Sequence, residues 1–233
     1  MKKMFRCIVV LSLLSYMVFT TSCSKEEKLE NTNYEFDLKT SVTVQDNTYL
    51  VSSLFFKMGV TNIIVKPDNG SYKYSCNAQK VFYFNGDLIN LSDYELELKN
   101  DFLSISGVDS YMVSLVNGLP YIITPEYKGL LHDAEDIVFD NALFILLLYM
   151  NEITLSENKK GDFMIEKIDI KRCSFWDTYY VFGMGLSSST SADRLESEID
   201  NHNMGSCSPI GSTDTSCIWG SHGCISTQAF CCE

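Results

Sequence analysis

Cysteine is the residue type best placed to do chemistry in this chain. Five of the nine fall within the last 27 residues, as Cys207, Cys217, Cys224, Cys231 and Cys232, spaced C-x9-C-x6-C-x6-C-C. Cys76 and Cys173 lie mid-chain, and Cys7 and Cys23 near the start. Thiols at such density either oxidise in pairs or hold a soft metal ion. The metal set on offer is Cys217, His222 and Cys224, but no C-x2-C pair accompanies it. Cys231 and Cys232 would share an ion poorly, because neighbouring strand residues point to opposite faces.

Nucleophilic catalysis needs a nucleophile, a base and a group that orients the base. The only imidazoles are His132, His202 and His222. No G-x-S-x-G elbow is present. His222 and Cys224 would project to one side of a strand, an arrangement that is reactive only while the thiol is unbridged. His132 and Asp133, with Glu135 and Asp136, form a polar cluster at the head of an apolar run, where acids favour the positive pole of a helix. The 30 acidic residues offer too many pairs to single out two for glycoside cleavage. Gly183-Met184-Gly185 lacks the third glycine of a phosphate-binding loop. No residue is therefore assigned to catalysis, to a cofactor or to a metal.

The start of the chain sets the compartment. Residues 1–6 are short and basic, and residues 7–19 (CIVVLSLLSYMVF) form a mostly apolar stretch of 13. A helix needs ~20 residues to cross a bilayer, whereas the apolar part of an export signal runs ~7–15. Thr20, Thr21 and Ser22 then lead into Cys23. Small residues before a cysteine at the end of such a stretch resemble the bacterial lipobox, with Thr20 standing where an aliphatic residue is usual. The resemblance implies removal of residues 1–22 and diacylation of the Cys23 thiol. Two acyl chains anchor stably where one does not, at about 0.8 kcal/mol per buried CH₂. Ser24 directly after the cysteine resembles lipoproteins released to the outer membrane. The acidic pair Glu26-Glu27 is similar to the surface-export signal of Bacteroidetes lipoproteins. The resemblance covers about 28 residues and concerns sorting rather than fold.

Export implies an oxidising setting, so Cys76, Cys173, Cys207, Cys217, Cys224, Cys231 and Cys232 are the disulfide candidates. Seven is odd, so at least one thiol stays free or pairs between molecules. Bridges from Cys173 or Cys76 would staple the tail to the body.

The charge narrows the partners. The formal charge is −12, and it becomes −15 without Lys2, Lys3 and Arg6 of the leader, which has no acid. A field of this sign repels phosphate backbones, which excludes nucleic acid as the expected partner. Hydrophobic residues make up 45% and charged residues 21%, enough apolar material for a packed body.

The elements that must position these groups read as α+β, a mainly antiparallel β-sheet or sandwich. Residues 23–33 (CSKEEKLENTN) are a polar leash. Alternation at Tyr34, Phe36, Leu38, Val42 and Val44 begins a β-rich region that continues through 51–56, 63–65, 81–84 and 121–123. Asn69-Gly70, Asn85-Gly86 and Asn117-Gly118 read as tight turns. The spacing predicts one long helix over 130–152, apolar all round at 142–150. Strands follow at 163–170 and 173–186, and then a shorter helix over 193–199 with Ser191 as a candidate cap. The body is expected over 34–204 with a sub-boundary near Pro125, and the cysteine-rich tail over 205–233 packs on it.

Together these readings imply an outer-membrane lipoprotein, surface-exposed with the periplasmic face as the alternative, whose contacts are the membrane, through its lipid, and an extracellular glycan or protein. The expected role is a binding module. The alternatives are an envelope hydrolase acting on extracellular polymer, and a structural subunit of an envelope assembly bridged by the odd cysteine.

Overall fold

The computed structural model describes residues 40–44, 47–51, 53–134, 139–158, 173, 177–202, 204, 206–219 and 222–232. The chain divides into two compact units, Met1–Phe36 and Asp37–Glu233, and all described residues belong to the second. The leader, Cys23 and the leash therefore lie outside the described residues, as do the strand expected at 163–170 and Trp176.

Chain order begins with β1 (Thr40–Val44), β2 (Asn47–Val51), the single helical turn α1 (Ser53–Lys57), β3 (Val60–Asp68) and β4 (Ser71–Ala78). The hairpin β5 (Phe82–Phe84) and β6 (Asp87–Ile89) follows, then β7 (Leu96–Lys99), β8 (Phe102–Ile105), β9 (Val108–Val116), β10 (Leu119–Ile123) and β11 (Lys128–Leu130). Next come α2 (Asn141–Asn158), β12 (Thr178–Gly185), α3 (Ser188–Asn201), β13 (Cys207–Cys217) and β14 (Cys224–Cys232). The protein is mostly antiparallel β-structure with few helices.

Two sheets are formed. The first has nine strands in the order β11-β10-β9-β8-β7-β4-β3-β1-β2, and the second has five, β13-β14-β12-β5-β6. Parallel neighbours are β1 with β3 and β12 with β5. Each Asn-Gly pair sits at a two-residue hairpin turn with both φ angles positive, for instance +53° at Asn85 and +83° at Gly86. Asn100 and Asp101 make a fourth such turn, between β7 and β8, without a glycine.

The long helix differs from expectation. It starts at Asn141, not at 130, because Leu130 pairs with Tyr121 in β11 and Leu131–Asp133 is a 3-10 turn. Leu131 and Ala134 are buried from that turn, which imitates helical spacing over the same residues. Asp140 caps the helix: the Leu143 amide donates to its Oδ1 at 2.9 Å. His132 and Asp133 therefore do not sit at a helix N-terminus. The run expected as strand at 51–56 also divides. β2 ends at Val51, and α1 follows, burying Phe55 edge-on against Tyr149 at 4.9 Å.

Burial of α2 explains its all-round apolar character. From Leu143 to Tyr149 every residue is at most 1% exposed. One side packs on β8 and β9 of the first sheet. On the other, Phe144 stacks on Phe84 at 3.9 Å and lies 5.9 Å from the ring of Phe82, both in the second sheet. Each such side chain contributes about 1.5–3 kcal/mol on leaving water. The layers run first sheet, α2, second sheet, α3.

The shorter helix is longer than expected and capped elsewhere. Ser187, not Ser191, is the cap, accepting from the Thr190 amide at 3.2 Å. Ser191 is buried one turn in, with its hydroxyl 2.8 Å from that of Ser226 in β14. The helix can approach so closely because Gly183 and Gly185 alternate onto its side of β12. A Cβ at Gly183 would run into the Leu195 amide and the Ser191 carbonyl. Met184, between them, points into the main core.

The cysteine-rich segment is a β-hairpin, with β14 as an interior strand. β14 pairs with β12 from Cys231↔Thr178 to Cys224↔Gly185 and with β13 on its other side. Pro125 falls at the turn between β10 and β11, within the one compact unit.

Candidate functional site

The cysteines among the described residues form three disulfides, Cys173–Cys231, Cys207–Cys232 and Cys217–Cys224. The last two join partners directly opposite one another at the two ends of the β13–β14 hairpin, with Cα atoms 4.1 and 4.0 Å apart. Cys231 and Cys232 take different partners, in keeping with their opposite-facing side chains. Cys224 is bridged, so it forms no Cys–His pair with His222. Cys76 keeps its thiol and is buried in β4. Burial pushes that thiol up, and it lies beside the fully buried Tyr149 phenol, which burial also raises well above its ordinary range.

The three histidines sit in two places. His132 meets His222 with ring centroids 5.0 Å apart, and its Nε2 lies 3.1 Å from Asp133 Oδ1. This contact seats the loop bounded by Cys217 and Cys224 on the 3-10 turn after β11. His202, at the end of α3, stacks on Tyr83 at 3.9 Å, and its Nε2 is 3.1 Å from Glu198 Oε2. The same carboxylate oxygen accepts from the Gly86 amide at 3.0 Å, tying α3 to the β5–β6 turn. Among the described residues no serine, threonine or cysteine side chain hydrogen-bonds to an imidazole, and no three His, Cys, Asp or Glu side chains are grouped to hold a metal ion. Glu135 and Asp136 lie outside the described residues.

The second sheet has one face on the α2 core, through Phe82, Phe84, Ile89, Tyr180, Phe182 and Met184. Strand alternation sends Tyr83, Leu88, Tyr179 and Val181 to the other face, and Val81 directly precedes β5. There α3 covers Val181, which packs with Leu195 and Phe230. Its last turn reaches the Gly86 amide through Glu198 and the Tyr83 ring through His202, yet leaves Val81, Leu88 and Tyr179 exposed. Tyr83 is half-buried against His202, while Val81 is 41% exposed, Leu88 58% and Tyr179 39%. Tyr83 pairs with Val181 on one side and Leu88 on the other, so these side chains adjoin. Among the described residues, three of the five large apolar side chains that stand exposed are Val81, Leu88 and Tyr179.

Lys80 borders the patch. Its Nζ donates to the Thr178 carbonyl at 2.8 Å. Burial pulls its pKa down to about 8, against the opposing effect of Asp177.

Alternation in Val81-Phe82-Tyr83-Phe84 was visible in the sequence, but the site was not. Which face lies open depends on where α3 ends above strands 90 residues and more further along the chain. Among the described residues no helix is long and apolar enough to cross a membrane. No protein-family model, no curated protein and no solved structure matches this chain.

Proposed function

We propose that this chain is an outer-membrane lipoprotein, anchored through diacylated Cys23 and displayed at the cell surface, whose β-rich body is a non-catalytic binding module. The observation that carries the binding role is the face of the second sheet beside α3, where Leu88 pairs with Tyr83 and where Val81, Leu88 and Tyr179 stand exposed. Contiguous exposed apolar and aromatic side chains on a soluble body mark contact surfaces. The export reading rests on the leader, the small residues before Cys23 and the acidic pair after it. Three disulfides in the body suit an oxidising compartment.

The hydrolase alternative draws less support. His202 is engaged by Glu198 and Tyr83, and His132 by Asp133 and His222, so these imidazoles act as packing and clasping groups. The bridged-assembly alternative needs a reachable thiol, whereas Cys76 is 6% exposed within the core.

The test is the intact mass of protein extracted from its native membrane, before and after reduction. The expected mass is that of residues 23–233 plus acyl groups, with a gain of two hydrogens for each bridge on reduction. A Cys23→Ala variant should lose membrane attachment. Retention of that variant in the membrane with its leader processed as before would overturn the proposal.

A further inference from the structure

We infer that the open face of the second sheet docks a basic, apolar-anchored polypeptide segment. The inference rests on the binding reading above and names the partner class for the same face. Two independent features converge on this chemistry. The first is the shape of the apolar material. The exposed Leu88 and Val81 are aliphatic, Leu88 is paired with the half-buried Tyr83, and Tyr179 is exposed on β12 of the same sheet. Sugar rings need flat aromatic platforms, whereas aliphatic side chains of a partner pack on Leu and Val as readily as on Tyr.

The second feature is charge. α3, which borders the patch, carries Asp193, Glu196 and Asp200 exposed. Its one cation, Arg194, is turned inward, donating to the Met184 carbonyl at 2.8 Å with its guanidinium over the Phe139 ring. The last turn of α3, next to Tyr83 through His202, holds Asp200 exposed and no Lys or Arg, while its Glu198 is buried and already bonded to the Gly86 amide and His202. The exposed Asp200 carboxylate at that pole adds to the negative end of the helix dipole, an arrangement unfavourable in the free protein. Lys or Arg side chains of a docked segment would relieve it, while the segment's apolar residues cover Leu88 and Tyr179.

The experiment uses the purified chain and three probes: a short labelled peptide alternating leucine and lysine, the same peptide with glutamate for lysine, and a panel of neutral oligosaccharides. Leu88→Ser and Tyr179→Ser are exposed sites where the fold should persist, as circular dichroism would verify. Tyr72→Ser, at an exposed site on the first sheet, is the control. The Leu/Lys peptide should bind, weaken roughly tenfold or more in each patch variant, stay unchanged in the control, and lose affinity with added salt. The Leu/Glu peptide should bind far more weakly. Equal Leu/Lys binding to wild type and patch variants would overturn the inference, since it would report only the overall negative charge. Equal binding of both peptides, oligosaccharide binding at the patch, or self-association abolished by Leu88→Ser would overturn it too, while leaving the binding module standing. If no probe binding and no self-association depended on Leu88 or Tyr179, both the inference and the binding reading would fall.

Discussion

Lys80 carries its charge at a cost that pH should expose. Its amine is half-buried, and its pKa of about 8 lies below the ordinary 10.5. Below pH 8 both folded and unfolded chains hold the proton, and the penalty is constant. Between pH 8 and 10.5 the unfolded chain retains a proton that the folded chain has lost, so stability rises with pH across that window. Unfolding free energies of wild type and Lys80→Met, measured from pH 8 to 10, should therefore diverge, with the wild type gaining on the variant. A constant difference would show that burial leaves this amine unperturbed. Asp140 makes a second prediction at this scale. Its carboxylate accepts from the Leu143 amide at the start of α2. Asp140→Ala should cost about 1 kcal/mol in urea unfolding, the usual loss for a removed N-cap. The residue identities were legible in advance. The environments were not, because Lys80 is desolvated by β12, nearly 100 residues away, and Asp140 lay hidden inside an apparently continuous helical pattern.

At the scale of elements, the packing of α3 on β12 hinges on two glycines. Gly183 faces the backbone of Ser191 and Leu195, and Gly185 faces Ser191 and Thr190. A methyl at Gly183 has no flexible neighbour to displace, so the helix itself must move. Gly183→Ala should lower stability by about 2–3 kcal/mol, read from chemical denaturation, whereas Met184→Leu between the glycines should cost under about 1.5 kcal/mol. If both changes cost the same, the close approach would not depend on the missing Cβ. The Gly-Met-Gly run thus has a packing explanation, and its period of two was the clue. What the run could not show was that a helix from the following segment would fold back over it.

For the whole molecule, the three disulfides differ in how much chain they restrict. Cys173–Cys231 spans 58 residues, Cys207–Cys232 25, and Cys217–Cys224 7. Loop-closure entropy then assigns about 4, 3.5 and 2.5 kcal/mol to them in turn. Paired Cys→Ala variants should lose stability in that order, measured by thermal or urea unfolding under oxidising conditions. A larger loss from the shortest loop would show that the seating of His222 on His132 outweighs chain entropy. Removal of Cys217–Cys224 should instead loosen that contact locally, with faster amide exchange at 218–223 as its signature.

Much that is local was settled by the chain's own chemistry. Asn-Gly pairs favour positive φ, so the turns at 69–70, 85–86 and 117–118 are where their residues demand. The apolar circumference of 142–150 required burial on all sides, and the two sheets supply it. Those effects act through backbone sterics and side-chain hydration over a few residues. Tertiary structure alone decided that β5 and β6 leave the first sheet to join β12 and β14, that Cys173 takes Cys231 while Cys76 keeps its thiol, and that Val81, Leu88 and Tyr179 stay exposed beside α3. Strand pairing between residues near 83, 181 and 228 is a contest among many edges of similar local preference. It is resolved only when the helices and the core choose which faces to bury.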